Sequence, residues 1–212
     1  MEKKKVLVPT IIAIAVLIVM TVGATFAYFT FNSQNDFETV NIEANTGALG
    51  SGVSLKKAEN ADLTLNVSAT DMLVDNAGSY YASGSSTPKT IATIAVAGAG
   101  KFNCTYAIEI TKTSTEGKDL YTKFQSAALG EGQVYINLNE KTYDFATANL
   151  FDNNGKITYN GTVTGITSAA NTDITANLTI VNSASVDQTA INDSDIKLSF
   201  SATAFNCTLV EE

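Results

Sequence analysis

The sequence contains no histidine, no tryptophan and no arginine. Each absence closes off a chemistry. Without histidine there is no Ser-His-Asp or Cys-His pairing and no His-Glu-x-x-His zinc helix. Without arginine there is no bidentate fork for phosphate or carboxylate. Cysteine and proline are scarce, with two of each in 212 residues. Two thiols without histidine cannot complete a tetrahedral zinc shell. No phosphate loop or Gly-x-Gly-x-x-Gly turn occurs, and Gly47-Ala48-Leu49-Gly50-Ser51-Gly52 reads as a plain loop. Positive charge is also short: 13 lysines face 21 acidic residues, for a formal net charge of −8. That balance argues against nucleic acid, which needs a basic stripe to release counterions, and against an anionic membrane surface. The chain therefore reads as a non-enzyme with no cofactor and no resident metal.

What the chain does have begins at its N-terminus. Lys3-Lys4-Lys5 precedes an apolar run, Val6 to Val22, broken only by Pro9, Thr10 and Thr21. Small residues follow, Gly23-Ala24-Thr25, and then Phe26-Ala27-Tyr28. A charged start, an apolar middle and small residues at a cut site describe a secretory signal peptide. Thr25 and Ala27 take the −3 and −1 positions if cleavage falls between Ala27 and Tyr28. The rival is a retained anchor helix, since the run is at the short edge of the roughly 17–25 residues that span a bilayer. Either way the remainder lies outside the membrane, which it touches only through this segment. Cleavage removes three lysines and one glutamate and moves the net charge from −8 to −10.

The rest divides into an extended segment, 28–45, and a body, 46–212. Phe29 and Phe31, and then Val40 and Ile42, alternate with polar partners, a period of two. Residues 46–61 read as a Gly-rich loop. Alternating apolar runs follow at Asp62–Ala69, Thr90–Ala97, Thr105–Thr113, Gln133–Asn139, Lys156–Gly165, Asp173–Val181 and Asp195–Leu209. In the last run Ile196, Leu198, Phe200, Ala202 and Ala204 fall on one face, and Gly161 marks a bulge in the fifth. Turn residues separate the runs, and Tyr80 to Pro88 reads as an exposed loop. Helical spacing is confined to Lys118–Leu129, with weaker patterns at Tyr143–Leu150 and Val186–Ile191. Runs with one apolar face and one Thr/Ser/Asn face make an antiparallel β-sandwich with a few short helices.

The two cysteines sit in a repeated tetrapeptide, Phe102-Asn103-Cys104-Thr105 and Phe205-Asn206-Cys207-Thr208. In an exported chain an even pair suggests a disulfide; the alternative is two buried thiols that never meet. Asp193 with Asp195, and Asp152 beside Asn153 and Asn154, offer oxygen to calcium but lack the spacing and closing glutamate of a calcium loop, so they read as solvated turns. Asn66, Asn103, Asn160, Asn177, Asn192 and Asn206 begin Asn-x-Ser/Thr triplets, which chance produces readily in this composition.

Val22-Gly23-Ala24-Thr25-Phe26-Ala27-Tyr28-Phe29-Thr30 resembles the signal-peptide boundary of the TasA/camelysin family of secreted biofilm-matrix proteins. The run Asp195 to Ala204 resembles that family's last strand. The resemblance implies a jelly-roll sandwich, processing by a dedicated signal peptidase, and extracellular fibres built from copies of the chain or related subunits. It also implies that the segment freed by cleavage, Tyr28 to about Asn35, becomes a donor strand anchored by Phe29 and Phe31. The peptidase label attached to some family members does not carry over, because this chain has no histidine. A membrane-tethered adhesin is the alternative, and a secreted hydrolase a weaker one.

Overall fold

The computed structural model describes residues 40–43, as backbone, and residues 52–210. The apolar segment, the Ala27–Tyr28 boundary and the donor-strand residues Tyr28, Phe29 and Phe31 lie outside them.

Among the described residues, alternation of apolar and polar residues builds eleven strands. They are β1 (Val40–Glu43), β2 (Gly52–Lys57), β3 (Leu63–Val67), β4 (Gly78–Tyr81), β5 (Lys89–Ala97), β6 (Phe102–Thr113), β7 (Val134–Leu138), β8 (Lys141–Asp144), β9 (Lys156–Ile166), β10 (Thr172–Asn182) and β11 (Ser194–Leu209). One helix, α1 (Leu120–Ser126), lies between β6 and β7. Neighbouring strands pair antiparallel in two sheets. The first runs β1-β2-β5-β10-β7-β8, with β4 also on β10; the second runs β3-β11-β6-β9. The inward residues of both sheets form one apolar core, including Leu55, Ile94, Ile108, Ile110, Ile136, Leu178, Leu198 and Phe200. Burying each such side chain contributes about 1.5–3 kcal/mol.

The spine is β6 against β11. Every β6 residue from Phe102 to Thr113 has a partner on β11, from Leu209 back to Lys197. Cys104 faces Cys207 in this register, and the two form a disulfide that closes 103 residues of chain. The repeated tetrapeptide becomes a local pseudo-twofold about that bond: Asn103 faces Thr208 and Thr105 faces Asn206.

Several elements differ from the sequence reading. Within the expected loop 46–61 lies β2, where Val53 and Leu55 alternate inward between β1 and β5. The loop expected from Tyr80 begins as β4, paired to β10. Tyr143–Leu150 is not helical, because its start is β8, hairpinned onto β7 through Asn139 at φ 50°. Lys118–Leu129 shortens to α1. Asp119 caps α1 by accepting from the Tyr121 amide at 3.0 Å, and the chain leaves the helix with Ala128 at φ 51°. Of Val186–Ile191 only Thr189–Ile191 forms a helical turn, of 3₁₀ type. Ala204 does not follow Ala202 inward. Thr203 is an extra residue between Ala202 and Ala204, so the parity flips and Phe205 and Cys207 point inward.

Replacing both cysteines by serine should leave the same sheets but lower unfolding free energy by about 3–5 kcal/mol, as expected for a long closed loop. Urea unfolding of the oxidised and the doubly substituted chain measures this; equal midpoints would contradict it.

Candidate functional site

Strand addition needs an unpaired sheet edge, and the edges among the described residues differ in length. β1, β3, β4 and β8 are edges of four or five residues. β9 is different. It is eleven residues long and, among the described residues, pairs with β6 alone. It contains no proline, and its one charged residue, Lys156, is tied to Glu109 at 2.8 Å. Of the usual guards of an edge, β9 lacks proline and short length; it carries one charge at its start, Lys156, 40% exposed, and an irregularity beyond Val163. At its inner face Tyr159 and Val163 are only partly buried against the core, leaving an apolar shelf at the rim.

The shelf is held by a close backbone approach. Tyr106 of β6 lies across Gly161, its register partner on β9. A Cβ at Gly161 would fall 2.2 Å from Tyr106 Cζ, so only glycine fits. The Tyr106 ring also meets Tyr159, with centroids 5.8 Å apart, and its hydroxyl accepts from Asn139 Nδ2 at 2.8 Å. Burial, with the Tyr159 hydroxyl adding to it, pushes the Tyr106 phenol well above its ordinary pKa. Gly161 is therefore not the bulge that its place in the strand suggests. The irregularity lies beyond Val163, where Gly165 at φ 70° donates to Asn103 Oδ1 at 2.9 Å.

Carboxylates named in the sequence reading are turn-builders. Asp193 pairs with Lys118 at 2.8 Å, and Asp195 accepts from the Thr115 amide at 2.7 Å. Asp152 Oδ1 accepts from the amides of Asn154 and Lys156, both at 2.8 Å. Among the described residues no group of three or more Asp, Glu, His or Cys is placed to hold a metal ion. None of their helices is long and apolar enough to cross a membrane. The Asn-x-Ser/Thr asparagines divide. Asn177 is buried, accepting from the Ser83 amide and donating to Ser85 O, whereas Asn66, Asn103, Asn160 and Asn206 are exposed on the second sheet.

Scans against protein-family models, curated proteins and solved structures find no match to this chain.

Two expectations follow. Gly161→Ala should cost about 1–3 kcal/mol by overpacking against Tyr106, read as a lower urea midpoint; an unchanged midpoint would refute the close approach. The second concerns pH. Asp62 is lowered by Lys197 and Lys57, which outweigh the opposing effect of burial. Bonds from the Lys156 amide, from the Thr189 hydroxyl and from Lys118 lower Asp152, Asp187 and Asp193 respectively. A lowered folded-state pKa gives stability above the unfolded value near 3.8 that is lost as pH falls through the folded one. Lys118 and Lys156 are raised by bonds to Asp193 and Glu109, and Tyr80 and Tyr106 by burial; these contributions are lost in alkali. With no histidine and both cysteines bonded, Tm should be flat from about pH 5 to about pH 9, falling on either side. A step near pH 6.5 in a thermal scan would contradict this.

Proposed function

We propose that this chain is an exported structural subunit that joins copies of itself, or related subunits, into an extracellular matrix fibre by strand addition. The observation that carries the reading is the β9 edge: eleven residues without proline, charged only at Lys156, beside a half-covered apolar shelf. An added strand satisfies such an edge with main-chain hydrogen bonds, and its alternate side chains fill the shelf. Phe29 and Phe31, two residues apart in the segment that would follow cleavage at Ala27–Tyr28, supply that alternation. A head-to-tail contact of this kind does not close on itself, so it propagates as a filament.

The finer fold reading is a jelly roll. The β5–β6 and β10–β11 pairs run side by side through both sheets, β10 on β5 and β11 on β6, with β3 flanking β11. In this reading the two pairs are one hairpin rolled across two sheets, as in a jelly roll. In the same reading a dedicated signal peptidase releases the leading segment, and the uncut apolar run holds it at the membrane until then.

The chain beginning at Tyr28 should form filaments visible by negative-stain microscopy. Removing Tyr28–Asn35 should abolish them while leaving the thermal transition unchanged. Filaments that survive the deletion would refute the donor role of this segment.

A further inference from the structure

We propose that the outer face of the first sheet carries a binding site for a neutral polysaccharide, built on strands other than the assembly edge. Its anchors are Tyr81 of β4 and Tyr135 of β7. Both are register partners of the same residue, Thr179 of β10. The three form one cross-strand row, with the tyrosines two strand spacings apart, roughly 10 Å. Thr179 is buried between them, and each tyrosine is half-buried. Alternation fixes the side of the sheet. Tyr80 packs against the core and Val134 and Ile136 lie in it, so Tyr81 and Tyr135 take the opposite face. Every other aromatic residue among those described belongs to the core or packs against it; these two do not. Among the described residues neither of their rings meets another ring, and neither hydroxyl has a hydrogen-bond partner.

The neighbouring row adds polar capacity. There Asn137 of β7 pairs with Asn177 of β10. Asn177 is occupied by the β4–β5 loop, accepting from the Ser83 amide at 3.2 Å and donating to Ser85 O at 3.1 Å. Asn137 Oδ1 accepts from the Thr142 hydroxyl at 2.9 Å, which leaves its Nδ2 as a free donor. The two rows contain no lysine. Their one acid, Asp144 opposite Tyr135, has its carboxylate oxygens bonded to the amides of Gly132 at 2.6 Å and Ala146 at 2.8 Å. The face thus offers two aromatic rings, two phenols that donate and accept, and an amide that donates, with no cation to hold an anionic polymer. A sugar chain fits these terms. Its C–H faces carry the partial positive charge that the π face attracts, and its hydroxyls both donate and accept. A proline-rich peptide also packs on aromatic rings, but it brings acceptors without donors for the phenol oxygens. The gap between the rings exceeds one sugar ring, so the ligand is a chain laid across the strands and not a monosaccharide.

The test is calorimetric titration of the chain beginning at Tyr28 with cellohexaose, chitohexaose and maltohexaose, three uncharged sugar chains of different linkage and substituent. At least one should bind, with an affinity that does not change as sodium chloride rises. Tyr81→Ala and Tyr135→Ala should each weaken that binding about ten-fold, the loss of one stacked ring. Tyr135→Phe keeps the ring and loses only the hydroxyl, so it should weaken binding less, and it keeps the test valid if the alanine variants fail to fold. Lys141→Gln, at a lysine set over the Tyr143 ring, should leave binding unchanged. Absence of binding to all three sugars, affinity that falls with salt, equal weakening by all the variants, or binding of a polyproline peptide in place of the sugars would overturn the site.

Discussion

The pairing of β6 with β11 is the constraint on which the rest depends. It brings together the middle of the chain and its end, and every residue of β6 takes part. Such non-local pairing carries a large loop-closure cost in the unfolded chain. Two features offset that cost: the inward rows of Ile108, Ile110, Leu198 and Phe200, and the covalent bond from Cys104 to Cys207. With β6 fixed, β9 can pair on one side of it and β11 can carry β3 on the other. The bulge at Thr203 lets one sixteen-residue strand serve two parities, with Phe200 inward before it and Cys207 inward after it.

This arrangement also decides where the molecule is left unfinished. In the first sheet β10 has strands on both sides, and its outer face is covered: Asn177 and Thr179 are buried, and Asn177 is bonded to Ser83 and Ser85 of the β4–β5 loop. Among the described residues the second sheet stops at β9. Its rim depends on a glycine and a tyrosine that lie on top of each other, so the middle of the edge is shaped by packing, with charge only at its Lys156 end. The proposed assembly uses that edge.

Much of this was legible in the sequence. Strict alternation at Leu63, Leu65 and Val67, and at Ile174, Ala176, Leu178 and Ile180, marks strands whose inner faces are buried in the structure. An even cysteine count, read with the expectation of export, suggested a disulfide over two separate thiols, and Cys104 and Cys207 are bonded in the structure. Less was legible where local composition competes with tertiary pairing. Glycine and lysine hide β2, whose two inward residues are held by strands on both sides. Tyrosine, aspartate and phenylalanine at 143–145 mimic a helix start, yet β8 forms because β7 offers it a ladder. The parity flip at Thr203 leaves no trace in an otherwise even alternation. A glycine in mid-strand signals that something is unusual at position 161, but not that Tyr106 fills the space. The row of Tyr81, Thr179 and Tyr135 joins residues far apart in the chain, and no spacing rule could find it.

The central claim is that β9 is an edge kept free for a neighbouring copy. Hydrogen exchange read residue by residue tests it most directly, in the unassembled chain lacking its leading segment and in filaments of the chain beginning at Tyr28. The account predicts that alternate amides between Lys156 and Ile166, those facing away from β6, exchange quickly in the first and become strongly protected in the second. Filaments in which those amides exchange as fast as before would contradict it.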